Sequence, residues 1–172
     1  SDPKCFATAN RVEDYLFGTP MSSAAREIKI EKQKELIRYI LAQSHKETAY
    51  VEHEIQPEQL EPILASLLQY VKDESGSFQV QASRQTLLIS KDRYEHYASI
   101  AYSLRALLSV KQDLLLNASL PFYSLRADSE NELIEFLDIA ALTVLREADR
   151  VARRQNLSSV TSKVYAQAWK LV

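Results

Sequence analysis

The apolar positions of this chain recur mainly at the spacing of helices, about 3.6 residues per turn. Leu60, Ile63, Leu64, Leu67, Leu68 and Val71 fall at i, i+3, i+4 and i+7, which predicts an amphipathic helix over 57–72 with Pro57 in its first turn. Between 92 and 116, Tyr97, Ala101, Leu104, Leu108 and Leu115 line up, flanked by Ile100, Leu107 and Leu114, so this stretch reads as one long core helix. The segment "FLDIAALTVL" at 136–145 is apolar nearly all round, and a helix of that kind must be enclosed by others. The helix holding it, 129–154 with Asp128 or Ser129 as its cap, is therefore placed at the centre of a bundle. Upstream, Ser22 or Ser23 caps a helix running to about Ser44, with Ala25, Ile28, Leu36, Ile37, Ile40 and Leu41 as its stripe. Lys29, Glu31, Lys32 and Lys34 interrupt that stripe, so its first half is expected to face water. A short helix at Ala7–Phe17 is read as stopping at Gly18-Thr19-Pro20.

One stretch departs from the helical period. After Ser75-Gly76-Ser77, the residues Phe78, Val80 and Ala82 alternate with Gln79, Gln81 and Ser83, and "TLLIS" at 86–90 offers a partner strand. A hairpin over 78–90 with Arg84 and Gln85 at its tip is predicted. The fold class is thus mainly α: five or six helices around a buried helix near 129–154, with one small β-hairpin. Residues 1–172 read as one helical domain, and 75–91 is the place where it would subdivide.

Composition narrows the functions open to such a bundle. With 46% hydrophobic and 26% charged residues the chain has ordinary globular values, so most of it is expected to fold. The longest uninterrupted apolar run, Ile139 to Leu142, is far short of the roughly 20 residues that span a bilayer, and no membrane association is expected. Cys5, the single cysteine, has no partner for an internal disulfide, and the opening residues lack the apolar core of a signal peptide. A cytoplasmic location is the resulting expectation. Two glycines, Gly18 and Gly76, cannot build the glycine-rich loops of Rossmann or P-loop nucleotide sites, and no cofactor is expected.

The nearest approach to a functional motif is "READRVARRQNLSSVTSKVYAQAWKLV" at 146–172, which resembles a helix-turn-helix. Ala152 precedes a corner at Asn156 and Leu157, and Val160 and Val164 come after it. Arg146, Arg150 and Arg153 form a basic stripe that Arg154 widens, as phosphate contacts require, and Ser159, Ser162, Lys163 and Gln167 would then face bases. Cations in the last turns of a helix also complement its dipole, so the stripe has an ordinary structural explanation as well. The net charge of −2 and pI near 6.0 fall well below the pI above about 9 usual for a dedicated nucleic-acid domain. The segment is also similar to the second half of a histone fold, a long helix, short loop and Val160-Thr161-Ser162-Lys163-Val164, although no short first helix and loop precede it. A winged-helix reading, with 57–72 as recognition helix, meets phosphate repulsion from Glu58, Glu61, Asp73 and Glu74.

Other constellations carry less. "HKETAYVEHE" holds His45, Glu47, Glu52, His53 and Glu54, with His96 elsewhere, but neither a Glu-x-x-His nor a His-x-x-x-His spacing occurs, so no metal is expected. No spacing ties a serine or Cys5 to a histidine and a carboxylate, which makes an enzyme the lesser expectation; Tyr94, Tyr97 and Tyr102 read as core and rim aromatics. The leading expectation is a non-enzymatic helical module, regulatory in role, that binds another protein or a second copy of itself. Its candidate anchors are Tyr165, Trp169 and Val172, on a line separate from Val160, Val164 and Ala168. A DNA-binding regulator using 146–172 is the alternative, and an enzyme or ligand binder with a pocket between helices is the third.

Overall fold

The computed structural model describes residues 19–47, 54–82, 85–117 and 124–171. In chain order these form α1 (Ser23–Glu47), β1 (Glu54–Ile55), α2 (Pro57–Leu67), β2 (Gln69–Lys72), β3 (Phe78–Gln81) and β4 (Thr86–Ile89). Then come α3 (Lys91–Ala98), α4 (Ser103–Asn117), β5 (Ser124–Leu125), α5 (Ala127–Arg154) and α6 (Ser162–Leu171). The fold is mainly α with a small antiparallel sheet, as the periodicity predicts. The expected helix at 7–17 and the tip residue Arg84 lie outside the described residues.

Helix α5 is the axis of the molecule. Every residue from Phe136 to Leu145 is buried, and α6, α2, α3 and α4 pack against the helix. Its cap is not the one expected. Arg126 occupies the cap position, and Ser129 instead donates its hydroxyl to the Ile55 carbonyl at 2.9 Å. The reason is β5: two residues pair in parallel with β1, so the helix opens directly from a strand tied to its neighbour. Because β1 and β5 are each succeeded after one residue by a helix, α2 and α5 begin side by side. Arg126 Nη1 donates to Gln56 Oε1 at 2.8 Å across the two starts.

Three further expectations are corrected. Helix α2 ends at Leu67 rather than near 72, because Gln69–Lys72 pairs with Phe78–Gln81 and makes the sheet three-stranded, in the order β2-β3-β4. Val71, expected in the helical core stripe, is 62% exposed on that sheet. The long helix of 92–116 is two helices, α3 and α4, broken at 99–102 without a glycine or proline to mark it. The break re-phases the second helix: Leu107 and Val110 are buried, whereas Leu104, Leu108 and Leu115 of the expected core face are exposed. Finally, the first half of α1 does not face water. Ala25, Lys29, Gln33, Ile37 and Leu41 succeed one another at four-residue intervals on its buried side, with Lys29 3% and Gln33 2% exposed.

The end of α5 shows how a helix stops without glycine. Asn156 has φ of 55°, the Leu157 N–H donates to the Ala152 carbonyl, and the Asn156 N–H donates to that of Arg153. This is the Schellman closure, with asparagine as the residue that tolerates the left-handed region. Asn156→Ala is expected to lower stability by about 1–2 kcal/mol, and Asn156→Gly to leave it equal or higher. Urea denaturation of both variants checks this; equal losses would remove the backbone explanation.

Candidate docking cleft and buried polar core

The residues of the C-terminal motif divide sharply by exposure. Arg146, Arg150, Arg153, Arg154, Lys163 and Gln167 are exposed, and Ser159 and Ser162 half-buried. Two of the arginines are engaged by their own helix: Arg150 holds Glu147 through bonds of 2.6 and 3.0 Å, and Arg153 bonds Asp149 at 3.1 Å. Helices α5 and α6 are separated by seven residues, 155–161, longer than the three or four of a helix-turn-helix corner. That connection is fastened to the chain before α1. Val160 donates its N–H to the Pro20 carbonyl at 2.7 Å, Ser22 donates to the Val160 carbonyl at 2.9 Å, and the Thr19 hydroxyl donates to Asp149.

The proposed partner anchors fare differently. Tyr165 is fully buried together with Val160, Val164 and Ala168, and α6 packs against α5 and α1. This corrects the expectation that the tyrosine stands on an outer face. Trp169 is half-buried, its ring 6.5 Å from that of Tyr165, and Val172 lies outside the described residues.

A concave surface opens at the other end of α5. A cleft of about 520 Å³ is lined by all four residues of β2, by Glu61, Leu64, Ala65 and Leu68 from the α2 side, by Gln79 and Gln81 of β3, and by Glu132 and Glu135 of α5. Strand β2 is an edge of its sheet, paired on one side by β3. The Asp73 N–H donates to the Ser77 carbonyl at 2.8 Å, which sets the alternation of the ladder. Gln69 and Val71 therefore direct their backbone groups to β3, and Tyr70 and Lys72 direct theirs to the free edge.

The cleft is also acidic. Glu61, Glu132 and Glu135 oppose Lys72, a formal excess of two negative charges. Burial holds the Glu132 carboxyl above the usual carboxylate range, and the charges of Glu61, Glu135, Asp128 and Glu58 push it further. Tyr70 donates its hydroxyl to Glu135 at 3.3 Å, and burial with that carboxylate keeps the phenol protonated well beyond its ordinary range. Acidic residues in the first turns of α2 and α5, such as Glu58, Asp128 and Glu130, complement the helix dipoles. Glu61, Glu132 and Glu135 stand beyond the first turn, where that effect has faded.

One turn further along α5, the acidic line enters the core. Asp138 is 2% exposed, and Lys29, Tyr97 and Ser103 around it are buried as well, with Gln33 one turn along the buried side of α1 from Lys29. Burial raises the Asp138 carboxyl to about 6, against the lowering influence of the nearby Ser103 hydroxyl and the positive charge of Lys29. The Lys29 Nζ lies 4.9 Å from the Tyr97 ring centroid, a cation–π distance. This buried polar set is the part of the molecule that periodicity concealed.

Among the described residues no three His, Cys, Asp or Glu side chains converge as a metal would require, and no helix is long and apolar enough to cross a membrane. His53 and Glu52 of "HKETAYVEHE" lie outside the described residues. In comparisons with known proteins, no family model and no curated protein matches this chain, so its function has to be read from the geometry.

Proposed function

We propose that this chain is a protein-binding module whose docking surface is the cleft between α2, β2 and α5. The observation that carries the reading is the edge strand: all four residues of β2 line an open concavity, and its outward backbone groups are of the kind that another polypeptide satisfies. Leu64, Leu68 and Val71 supply apolar surface beside it. Burial of Tyr165 moves the interaction away from α6, and the engagement of Arg150 and Arg153 by Glu147 and Asp149 weakens the case for a phosphate-binding stripe.

An unbiased peptide display library selected on the purified protein tests this. Selected peptides are expected to shift the amide resonances of 69–72 and to lose affinity at least tenfold on Val71→Glu, which places a charge among the apolar lining. Peptides whose shifts cluster on α4 or α6 would overturn the reading. Random duplex DNA serves as the competing ligand at two salt concentrations. Tight, steeply salt-dependent binding that the pair Arg150→Ala and Arg153→Ala flattens by about one unit of slope per contact would favour a nucleic-acid interface instead.

A further inference from the structure

We infer that the occupant of the cleft is an extended, basic segment of a partner protein that adds to the free edge of β2 as a fourth strand. This rests on the docking reading above and specifies the chemistry of the partner. The backbone supplies the first half of the argument. Tyr70 and Lys72 present N–H and carbonyl groups at an edge that opens into the cleft, and an incoming strand pairs there without disturbing the bonds of β2 to β3.

Charge supplies the second half. Side chains of an added strand alternate between the two faces of the sheet. Tyr70 shares its face with Val80 and Phe78, and its hydroxyl reaches Glu135, so a residue beside Tyr70 stands next to Glu135 and Glu132. Neither Glu61 nor Glu132 has an ion pair within 4.0 Å among the described residues, and Glu132 is held above its usual range partly by its like-charged neighbours. A lysine or arginine at that position offsets the repulsion. Residues of the opposite parity stand beside Val71 on the other face, where the exposed Leu88 lies across Gln79 from it, and these favour apolar side chains. The pattern recognised is basic alternating with apolar.

The test uses the whole chain and synthetic peptides. A Val-Lys-Val-Lys-Val segment with capped ends is titrated beside its Glu-for-Lys analogue and a copy N-methylated on the amides that would face β2. The lysine peptide is expected to bind with an affinity that falls as salt rises, the acidic analogue at least tenfold more weakly, and the methylated copy at least tenfold more weakly. Glu132→Gln with Glu135→Gln is expected to weaken the lysine peptide about tenfold; it retains the Tyr70 bond through the amide oxygen. Lys72→Pro removes one outward N–H and no ladder bond, and is expected to weaken every peptide that binds as a strand. Equal binding of lysine and glutamate peptides, indifference to N-methylation, or no binding of the lysine peptide overturns the inference. If display-selected peptides still map to 69–72 but are acidic or helical, the cleft stands and the strand-addition chemistry fails; if they map elsewhere, the docking reading itself fails.

Discussion

Phe136→Ala is expected to lower stability by about 3–5 kcal/mol and to bring the melting temperature down by roughly 10 °C. Phe136 is 1% exposed, on the central helix, and its ring lies 6.4 Å from that of Tyr70. Tyr70 in turn meets Phe78 edge-on at 5.7 Å, and Phe78 meets Tyr94 at 4.8 Å. This chain of rings joins α5 to β2, β3 and α3, so truncation leaves a cavity where the sheet sits on the helix. The neighbouring strands should respond as well: amide exchange at Gln69, Val71 and 78–81 is expected to accelerate more than exchange in α6. Leu108→Ala, on the exposed side of α4, is expected to stay within about 0.5 kcal/mol of the parent. Denaturation of the two variants side by side decides the matter. Similar losses from both, or a loss below about 1 kcal/mol from Phe136→Ala, would mean that the sheet is not anchored through this ring.

The contrast between Phe136 and Leu108 also marks what periodicity could reveal. The central helix was legible because an all-apolar run has one solution, enclosure, whichever way the helix is turned. The hairpin was legible for a similar reason: alternation at 78–82 fits one period only. Helix α4 was legible as a helix but not in its orientation. Its leucines cover two adjacent faces, and a four-residue break without glycine or proline decides which face turns inward. Likewise Gln69–Lys72 continues the helical stripe of α2, yet long-range pairing with 78–81 overrides it, because β-forming Tyr70 and Val71 find partners there. The cleft is a product of that override and was out of reach of the spacing. The exposed arginines of 146–154 were legible as a surface stripe, but the pairing of Arg150 with Glu147 and of Arg153 with Asp149 on the same helix was not. Tyr165 illustrates the opposite limit: a tyrosine on a second apolar line of the last helix reads as an interface anchor, yet it is buried within the bundle.

Lys29 and Asp138 present the largest pH effect expected of this molecule. Lysine at the head of a helix and a lone aspartate in an apolar run both look like surface or errors of phase, yet α1 and α5 bring them into one buried set with Tyr97 and Ser103. The Asp138 carboxyl is raised from its usual value to about 6, chiefly by burial. The folded state therefore holds a proton that the unfolded chain releases near pH 4, and stability contributed by this group is full below that value and lost as pH rises through about 6. Acidifying from pH 7.5 to 5 is expected to recover roughly 1–2 kcal/mol from this group alone. Asp138→Asn mimics the protonated form, so it is expected to stabilise the protein by at least that amount at pH 7.5 and to flatten the curve between pH 5 and 7.5. Lys29→Met acts the other way. Removing the cation leaves the buried carboxylate without that opposing charge, at a cost that protonation of Asp138 caps at about 2 kcal/mol at pH 7.5 and that shrinks further toward low pH. Denaturant unfolding of the three proteins at pH 5, 6 and 7.5 separates the cases: a parallel set of curves, with no narrowing toward low pH, would show that Lys29 and Asp138 do not share one electrostatic environment.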